Sequence, residues 1–252
     1  MTNFFCKRFT LGVCLGLSLL VSSVAIGADT PKSDALEILS RTANFMEEQA
    51  QFSMTATVWE DVVTDNDTKL QSARTVELKR RFPNKFRADI YTTQLNQTYV
   101  YDGEMVTIVN HGSKAYGEFT APDTLPKTLD VIQERRGIDI PLEDVLFKRP
   151  FYDAAESATS NQYIERTNVF GKEAHHLAFQ DENIDWQLWI QAGPVPVLLK
   201  VVINFKTEQS SPQMIVIFDK WDFATNLPDY VFDVYLSSDY EQFNVRNLET
   251  TK

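Results

Sequence analysis

Cysteine is almost absent from this chain, and the positions of the two cysteines limit the chemistry that the mature protein can perform. The 252 residues include two cysteines, Cys6 and Cys14, and both lie near the N-terminus. If that region is removed from the mature protein, the remainder contains no thiol. Disulfide bonds, thiol catalysis and thiolate metal sites are then excluded.

Positive charge and histidine are also scarce. The formal net charge is -11, and there are three histidines. An acidic surface disfavours nucleic acid, whose phosphates require lysine and arginine, and it disfavours electrostatic docking on anionic lipid. The sequence also lacks nucleophile-elbow, phosphate-loop and dinucleotide-binding motifs. We therefore expect a protein that is not an enzyme and that carries no cofactor and no metal.

The first 28 residues have the composition of an export signal. A short basic segment precedes an apolar run over residues 9–24, and small residues at 25–28 offer a cleavage site. This order predicts a secretory signal peptide at residues 1–28, with a membrane anchor as the alternative. Lipidation of Cys14 is disfavoured because the residue before it, Val13, is not small.

The segment 76–109 has the pattern of consecutive antiparallel strands. Within it apolar and charged residues alternate, which indicates strands with one buried and one solvent-exposed face. Pro83 marks a bend, and Asp102 with Gly103 between two apolar runs predicts a hairpin turn. Similar alternation recurs over residues 163–221, so the sequence predicts about ten or eleven strands.

Three segments have helical spacing instead. Residues 36–46 predict an N-terminal amphipathic helix, and residues 125–132 and 142–146 predict two shorter helices in mid-chain. Residues 148–162 are expected to form a mobile loop, and residues 227–232 a tail that covers a sheet edge. The predicted fold class is α+β, mainly β: a half-open, strongly curved antiparallel β-barrel, lidded by the N-terminal helix and the two mid-chain helices.

The histidines offer a catalytic alternative. His175 and His176 are adjacent on a predicted strand, so their side chains point to opposite faces and cannot readily share a metal. Combined with Asp181 or Glu182, one of them would make a hydrolase. The acidic turn, which contains Asp181, Glu182 and Asp185, lacks the spacing of a metal-binding loop. It is expected to be a solvated hairpin rather than a calcium site. His111 lies in a turn and is expected to be solvated.

Two adjacent arginines are predicted to point in opposite directions. Arg80 shares the parity of Val76 and Leu78 and would project from the apolar face, whereas Arg81 would face solvent. A buried cation must be paired or hydrogen-bonded, and the arginine fork suits carbonyl or carboxylate oxygens. The alternative is a β-bulge that places both side chains in water.

These features together resemble the LolA/LolB-like periplasmic carriers, which sort lipoproteins to the outer membrane. The shared elements are LKRRFPNKF at residues 78–86, with basic residues before a proline, and the Asp-Gly hairpin in VYDGEMVTIV at residues 100–109. A predicted periplasmic family of uncharacterised function in the same superfamily is similar to HLAFQDENIDWQLWIQAG at residues 176–193, followed by the strand at 199–205. The resemblance extends over about residues 36–245.

The resemblance implies an apolar cavity for acyl chains beneath the helices. In the lipoprotein carriers an arginine directly before the proline helps to hold the lid shut. Here Phe82 occupies that position, and Arg80 is the arginine with inward parity. Residues 29–252 are expected to form a single LolA-like lipid-binding domain, without stable membrane insertion after cleavage of the signal.

The expected function is that of a non-enzymatic carrier or binding protein in the periplasm of a Gram-negative bacterium. Its ligand would be a lipid, an acylated molecule or another hydrophobic compound. The alternative is an envelope stress sensor or protein-interaction module with an envelope protein as its partner. The expected ligand-binding residues, assigned by parity and helical spacing, are Met54, Val58, Leu78, Arg80, Phe86, Ile90, Leu129, Ile132, Trp186, Leu188, Ile190, Val201 and Ile203.

Overall fold

The computed structural model describes residues 34–136, 138, 140 and 142–245, so the predicted signal peptide at residues 1–28 lies outside the described residues. These residues form one twelve-stranded sheet. Neighbouring strands are antiparallel, except that the last strand runs parallel to its neighbour. The strands are β1 (Gln51–Val63), β2 (Lys69–Arg81), β3 (Lys85–Tyr91), β4 (Asn96–Tyr101), β5 (Met105–Asn110), β6 (Ala115–Thr120), β7 (Ser160–Val169), β8 (Lys172–Gln180), β9 (Ile184–Gln191), β10 (Leu198–Phe205), β11 (Gln213–Asp222) and β12 (Glu241–Gln242).

The sheet is open, with β7 at one edge and β12 at the other. Its order is β12-β6-β5-β4-β3-β2-β1-β11-β10-β9-β8-β7. Because β1 pairs with both β2 and β11, it joins two runs of consecutive antiparallel strands. The predicted mainly β, α+β class and its antiparallel sheet are confirmed, but the described sheet does not close.

Alternation gives each central strand one face in the core. In β2 the side chains of Val76, Leu78 and Arg80 are buried, whereas Glu77 and Lys79 between them are half-buried on the opposite face. The eight residues of β9 alternate in the same way. We call the face that carries these buried side chains the inner face, and the opposite one the outer face. The period of two therefore predicts which side chains enter the core.

Helical segments lie against the inner face. The first, α1 (Asp34–Glu48), contributes Leu39 and Met46 among its buried side chains. The predicted helix over residues 125–132 is α2 (Leu125–Asp130), which continues as a π-helix at Val131–Arg135. Buried apolar side chains of both segments belong to the same hydrophobic cluster as the inner-face residues of the sheet.

One of two predictions for the middle of the chain needs correction. The second predicted mid-chain helix is present as a short 3-10 turn at Glu143–Leu146. The segment 148–162 is not a loop, because it contains α3 (Tyr152–Ser157) and the start of β7. Tyr152 and Ala155 are three residues apart, lie on one helical face and are buried in the inner-face cluster. Tertiary burial, not local propensity, stabilises this short helix.

The C-terminal segment, residues 227–245, lies partly on the outer face of the sheet and partly at the edge of the sheet. The 3-10 turn Asp229–Phe232 follows Leu227, and Leu227 and Phe232 form a small apolar cluster with Val100 of β4. Val100 points to the outer face, because the residues on either side of it point inward. The prediction that residues 227–232 cover a sheet edge is therefore wrong. The edge at β6 is covered by β12 instead.

Candidate functional site

Eleven of the thirteen residues expected to bind a ligand lie on the inner face, and the other two, Leu129 and Ile132, lie in the helical segment packed against it. Each of the thirteen is at most 3% exposed, and the twelve apolar ones belong to one cluster with the buried side chains of the helices. We call residues 34–49 and the described part of 121–158 the cover. In this structure the cover packs directly on these side chains, so they are buried in the same way as the residues of an ordinary hydrophobic core. Their role in ligand binding stays a prediction.

Arg80 is the one charged side chain among the thirteen, and it is 0% exposed. In the sheet register it lies between Phe52 of β1 and Phe86 of β3. Its guanidinium donates hydrogen bonds to backbone carbonyl oxygens at the C-terminal ends of two helical segments, where the carbonyl oxygens carry partial negative charge. The acceptors are the carbonyl oxygens of Met46 at 3.0 Å, Gln49 at 3.5 Å, Val145 at 3.4 Å, Leu146 at 3.5 Å and Phe147 at 2.8 Å.

Aromatic rings complete the environment of this cation. Cζ of Arg80 lies 4.4 Å from the ring centroid of Phe52 and 4.2 Å from that of Phe82. Burial lowers the pKa of the Arg80 guanidinium to about 9, which leaves it protonated at neutral pH. No carboxylate of the described residues pairs with it. Carbonyl dipoles and aromatic faces therefore stabilise the charge.

Arg81 lies on the outer face. It donates a hydrogen bond to the carbonyl oxygen of Leu227 at 2.6 Å and pairs with Asp229, whose carboxylate also lies 3.1 Å from Lys85. β2 pairs in regular register with β1 and β3 through both arginines, so the bulge considered as an alternative is not present. Arg80 thus contacts the cover, and Arg81 contacts the C-terminal turn.

The structure does not bring together the histidines and the acidic residues that the hydrolase alternative requires. His175 faces α1 on the inner side, whereas His176 stacks on Trp189 of the outer face with ring centroids 4.2 Å apart. Asp181 accepts a hydrogen bond from Nε1 of Trp186 at 3.0 Å. Asp181 is five residues beyond His176, which is about 16 Å along a strand. This arrangement does not bring either histidine to the acidic turn.

A shallow polar cleft of about 190 Å³ adjoins His175. Burial lowers the pKa of His175, and the positive charges of Arg41 and Arg166 lower it further. Its Nδ1 atom is buried without a hydrogen-bond partner. The residues that line the cleft are Asp34, Glu37, Ile38, Arg41, Tyr163 and His175.

His111 is half-buried, so the expectation that it is solvated is wrong. Its Nε2 lies 3.0 Å from Oγ1 of Thr98, and its Nδ1 lies 2.9 Å from the hydroxyl of Tyr240. Thr98 in turn donates a hydrogen bond to Asp89 at 2.7 Å, and Arg87 pairs with the same carboxylate. This network attaches the C-terminal segment to β4 and β5. The turn sequence did not reveal it, because Tyr240 is 129 positions away.

Sequence reasoning missed the groups that surround Arg80. Backbone carbonyls have no sequence signature, and the rings of Phe52 and Phe82 could not be placed beside Arg80 without the sheet register. Parity was the available signal, since it assigned Arg80 to the apolar face. Among the described residues, no group of three histidine, aspartate or glutamate side chains could hold a metal ion.

Comparison with known families classifies the protein. A family model described as "Predicted periplasmic protein (DUF2092)" matches residues 35–245. The chain belongs to this family. The resemblance to a predicted periplasmic family of uncharacterised function is thereby confirmed, and the family description predicts a periplasmic location. Within the part of the chain that the structure describes, no helix has both the length and the hydropathy needed to span a membrane.

One solved structure supports this fold. An uncharacterized conserved protein from Thermus thermophilus is 11% identical, with 84% of this chain and 99% of that chain covered and a TM-score of 0.50. At that identity it supports the fold alone.

Two further matches have lower TM-scores. The MucA/MucB complex of Pseudomonas aeruginosa is 17% identical over 81% of this chain and 62% of that chain, with a TM-score of 0.47. A LolA superfamily protein from Nitrosomonas europaea is 10% identical over 79% of this chain and 97% of that chain, with a TM-score of 0.39. A search of curated proteins found no match.

Proposed function

We propose that the protein is a non-enzymatic periplasmic carrier or binding protein for a lipid, an acylated molecule or another hydrophobic ligand. The exported domain, residues 29–252, takes the ligand between the inner face and the cover, so that sheet and cover act as a half-open barrel with a helical lid. The family description, which predicts a periplasmic location, supports this compartment.

The observation that carries the proposal is the construction of the cover. α3 has six residues, the 3-10 turn has four, and α2 with its π-helical continuation has eleven. Isolated helices of this length are unstable in water, so these segments depend on contacts with the inner face and with Arg80. The sheet does not depend on them in the same way, because its backbone hydrogen bonds run from strand to strand. The cover can therefore be lifted while the sheet stays paired.

Lifting the cover exposes an apolar surface that a ligand can bury. Twelve of the thirteen predicted residues are apolar, and they extend across β1, β2, β3, β9 and β10 as well as the cover. Burial of an acyl chain yields about 25 cal/mol per Å² of apolar surface. The closed cover buries the same surface. The affinity for the ligand therefore reflects the free energy gained by burying the ligand minus the free energy of the cover contacts that are lost.

Native mass spectrometry of the mature protein, purified from its own periplasm, tests the proposal. We expect a bound species that is lost on denaturation and is recovered in the organic extract. The extracted protein should then take up a fluorescent fatty acid. A clean apo mass, together with no uptake by the extracted protein, would overturn the proposal.

A protein-interaction module is the second candidate, and one surface favours it. The pairing of β1 with β11 ends at Glu60, and the pairing of β2 with β3 begins at Thr75, so the hairpin between them projects beyond the sheet. On this projection Val62 and Leu70 are cross-strand partners, 36% and 55% exposed. Capture of a membrane-anchored regulator by the wild type but not by Leu70→Asp would favour this function. Equal capture by both would count against this surface.

A further inference from the structure

Arg80 belongs to the sheet, whereas every carbonyl that it contacts belongs to the cover. β2 is paired on both sides, with β1 and with β3, so the backbone of Arg80 stays in place when the cover moves. The acceptors lie in residues 46–49 and 145–147. Lifting both parts of the cover therefore removes all of these carbonyls from the guanidinium together.

What remains is a cation on an apolar surface. On the inner face its sheet neighbours are Phe52, Leu78 and Phe86, and all three are fully buried. In this structure no carboxylate of the described residues pairs with Arg80. A cation in such surroundings is unfavourable unless it is paired. A ligand that displaces the cover must therefore leave Arg80 unpaired or supply new acceptors, and an anion is the strongest acceptor for a guanidinium.

We infer that the ligand is an acidic amphiphile, whose carboxylate or phosphate headgroup pairs with Arg80 while its acyl chain lies on the inner face. This inference rests on the proposed function and adds the chemical class of the ligand. The guanidinium fork can bind either oxyanion through two hydrogen bonds. Because the net charge of the chain is -11, general attraction cannot produce a preference for anions. Such a preference has to come from the contact with Arg80.

Probes that differ only in the headgroup test this inference on the wild-type mature protein. cis-Parinaric acid and its methyl ester have the same fluorescent chain, and only the acid carries a charge. We expect the acid to bind about tenfold more tightly or better, the scale of one charge-assisted hydrogen bond. Phosphatidic acid and diacylglycerol with the same chains are then compared as competitors of the bound probe. This pair applies the same comparison to a phosphate headgroup. The pair with the larger ratio of acidic to neutral affinity identifies which oxyanion the site prefers.

Two matched variants locate the source of the preference. Arg80→Met keeps the length of the side chain without its charge and should bind acid and ester about equally, because both probes meet the same uncharged site. Arg81→Met removes the neighbouring outer-face arginine and should keep the wild-type preference. Arg80→Lys should retain a reduced preference for the acid, because it keeps the charge but loses the fork.

The outcomes separate this inference from the function on which it rests. If the wild type binds acid and ester equally, the headgroup inference is overturned and the carrier function stands. If the wild type binds neither probe, the headgroup inference is overturned, and a clean apo mass of the protein from its own periplasm would then overturn the carrier function as well. If Arg80→Met does not fold, the wild-type comparison and Arg80→Lys still decide the question.

Discussion

Nη1 of Arg80 donates a 2.8 Å hydrogen bond to the carbonyl oxygen of Phe147, which lies 67 positions away in the chain. Nη2 donates a second hydrogen bond, of 3.0 Å, to the carbonyl oxygen of Met46 near the end of α1. One side chain of the sheet therefore holds two separate parts of the cover. The salt bridge between Glu47 and Lys148, with charged atoms 3.8 Å apart, joins the same two parts of the cover.

Replacing Arg80 with methionine should destabilise the protein far more than the same change at Arg81. Arg80→Met leaves buried carbonyls without a donor and should lower the free energy of unfolding by about 2–3 kcal/mol. Arg81→Met breaks partly exposed contacts and should cost about 1 kcal/mol or less. Urea unfolding measures both values. Equal losses would show that Arg80 does not fasten the cover.

Trp186 should report ligand entry. It is 0% exposed and stacks on Phe179, with ring centroids 4.0 Å apart. A variant that keeps Trp186 as its only tryptophan should resist quenching by iodide and should be quenched by a nitroxide-labelled fatty acid. A variant that keeps only Trp59, which is 38% exposed, is the control and should show the opposite pattern. Quenching of Trp59 alone by the labelled acid would place the ligand outside the inner face.

Gly117→Ala should release the C-terminal segment from β6. A Cβ atom at Gly117 would lie 2.5 Å from a side-chain carbon of Val245 and 2.6 Å from one of Phe243, closer than such contacts allow. The end of the segment should therefore move, and carboxypeptidase should digest it faster than in the wild type. Gly112→Ala is the matched control, because its nearest neighbour, an oxygen of Asn110, would be 3.4 Å away. Equal digestion of the two variants would mean that the Gly117 contact does not hold the segment.

His175 should make the protein less stable in mild acid. Its pKa in the folded protein lies below the ordinary value of 6.5, because of burial and the nearby Arg41 and Arg166. The unfolded chain therefore takes up this proton at a higher pH than the folded chain does. As the pH falls through 6.5, the free energy of unfolding should decrease, and the decrease is complete below the lowered pKa.

Urea unfolding between about pH 8 and pH 5 measures this effect. His175→Gln should remove the part of the pH dependence that His175 causes. His176→Gln changes the neighbouring histidine on the outer face and should keep the pH dependence of the wild type. If the wild type and His175→Gln show the same pH dependence, the histidine does not contribute.

Much of the fold could be predicted because burial on one face leaves a period of two in the sequence. The alternation in β2 and β9 identified the inner-face residues before any register was known. The short helix at Tyr152–Ser157 could not be predicted in the same way. Six residues carry too little helical signal, and this helix depends on burial against distant parts of the chain.

The sequence by itself determined the strand-rich class, the inward parity of Arg80 and the apolar composition of the inner face, because these follow from local alternation. Only the tertiary structure decided what Arg80 contacts, since its acceptors are backbone carbonyls 31 to 67 positions away. It also decided that His111 binds the C-terminal segment and that the acidic turn stands apart from His176. Hydrogen bonds between distant segments depend on register and packing, which one strand's pattern does not encode.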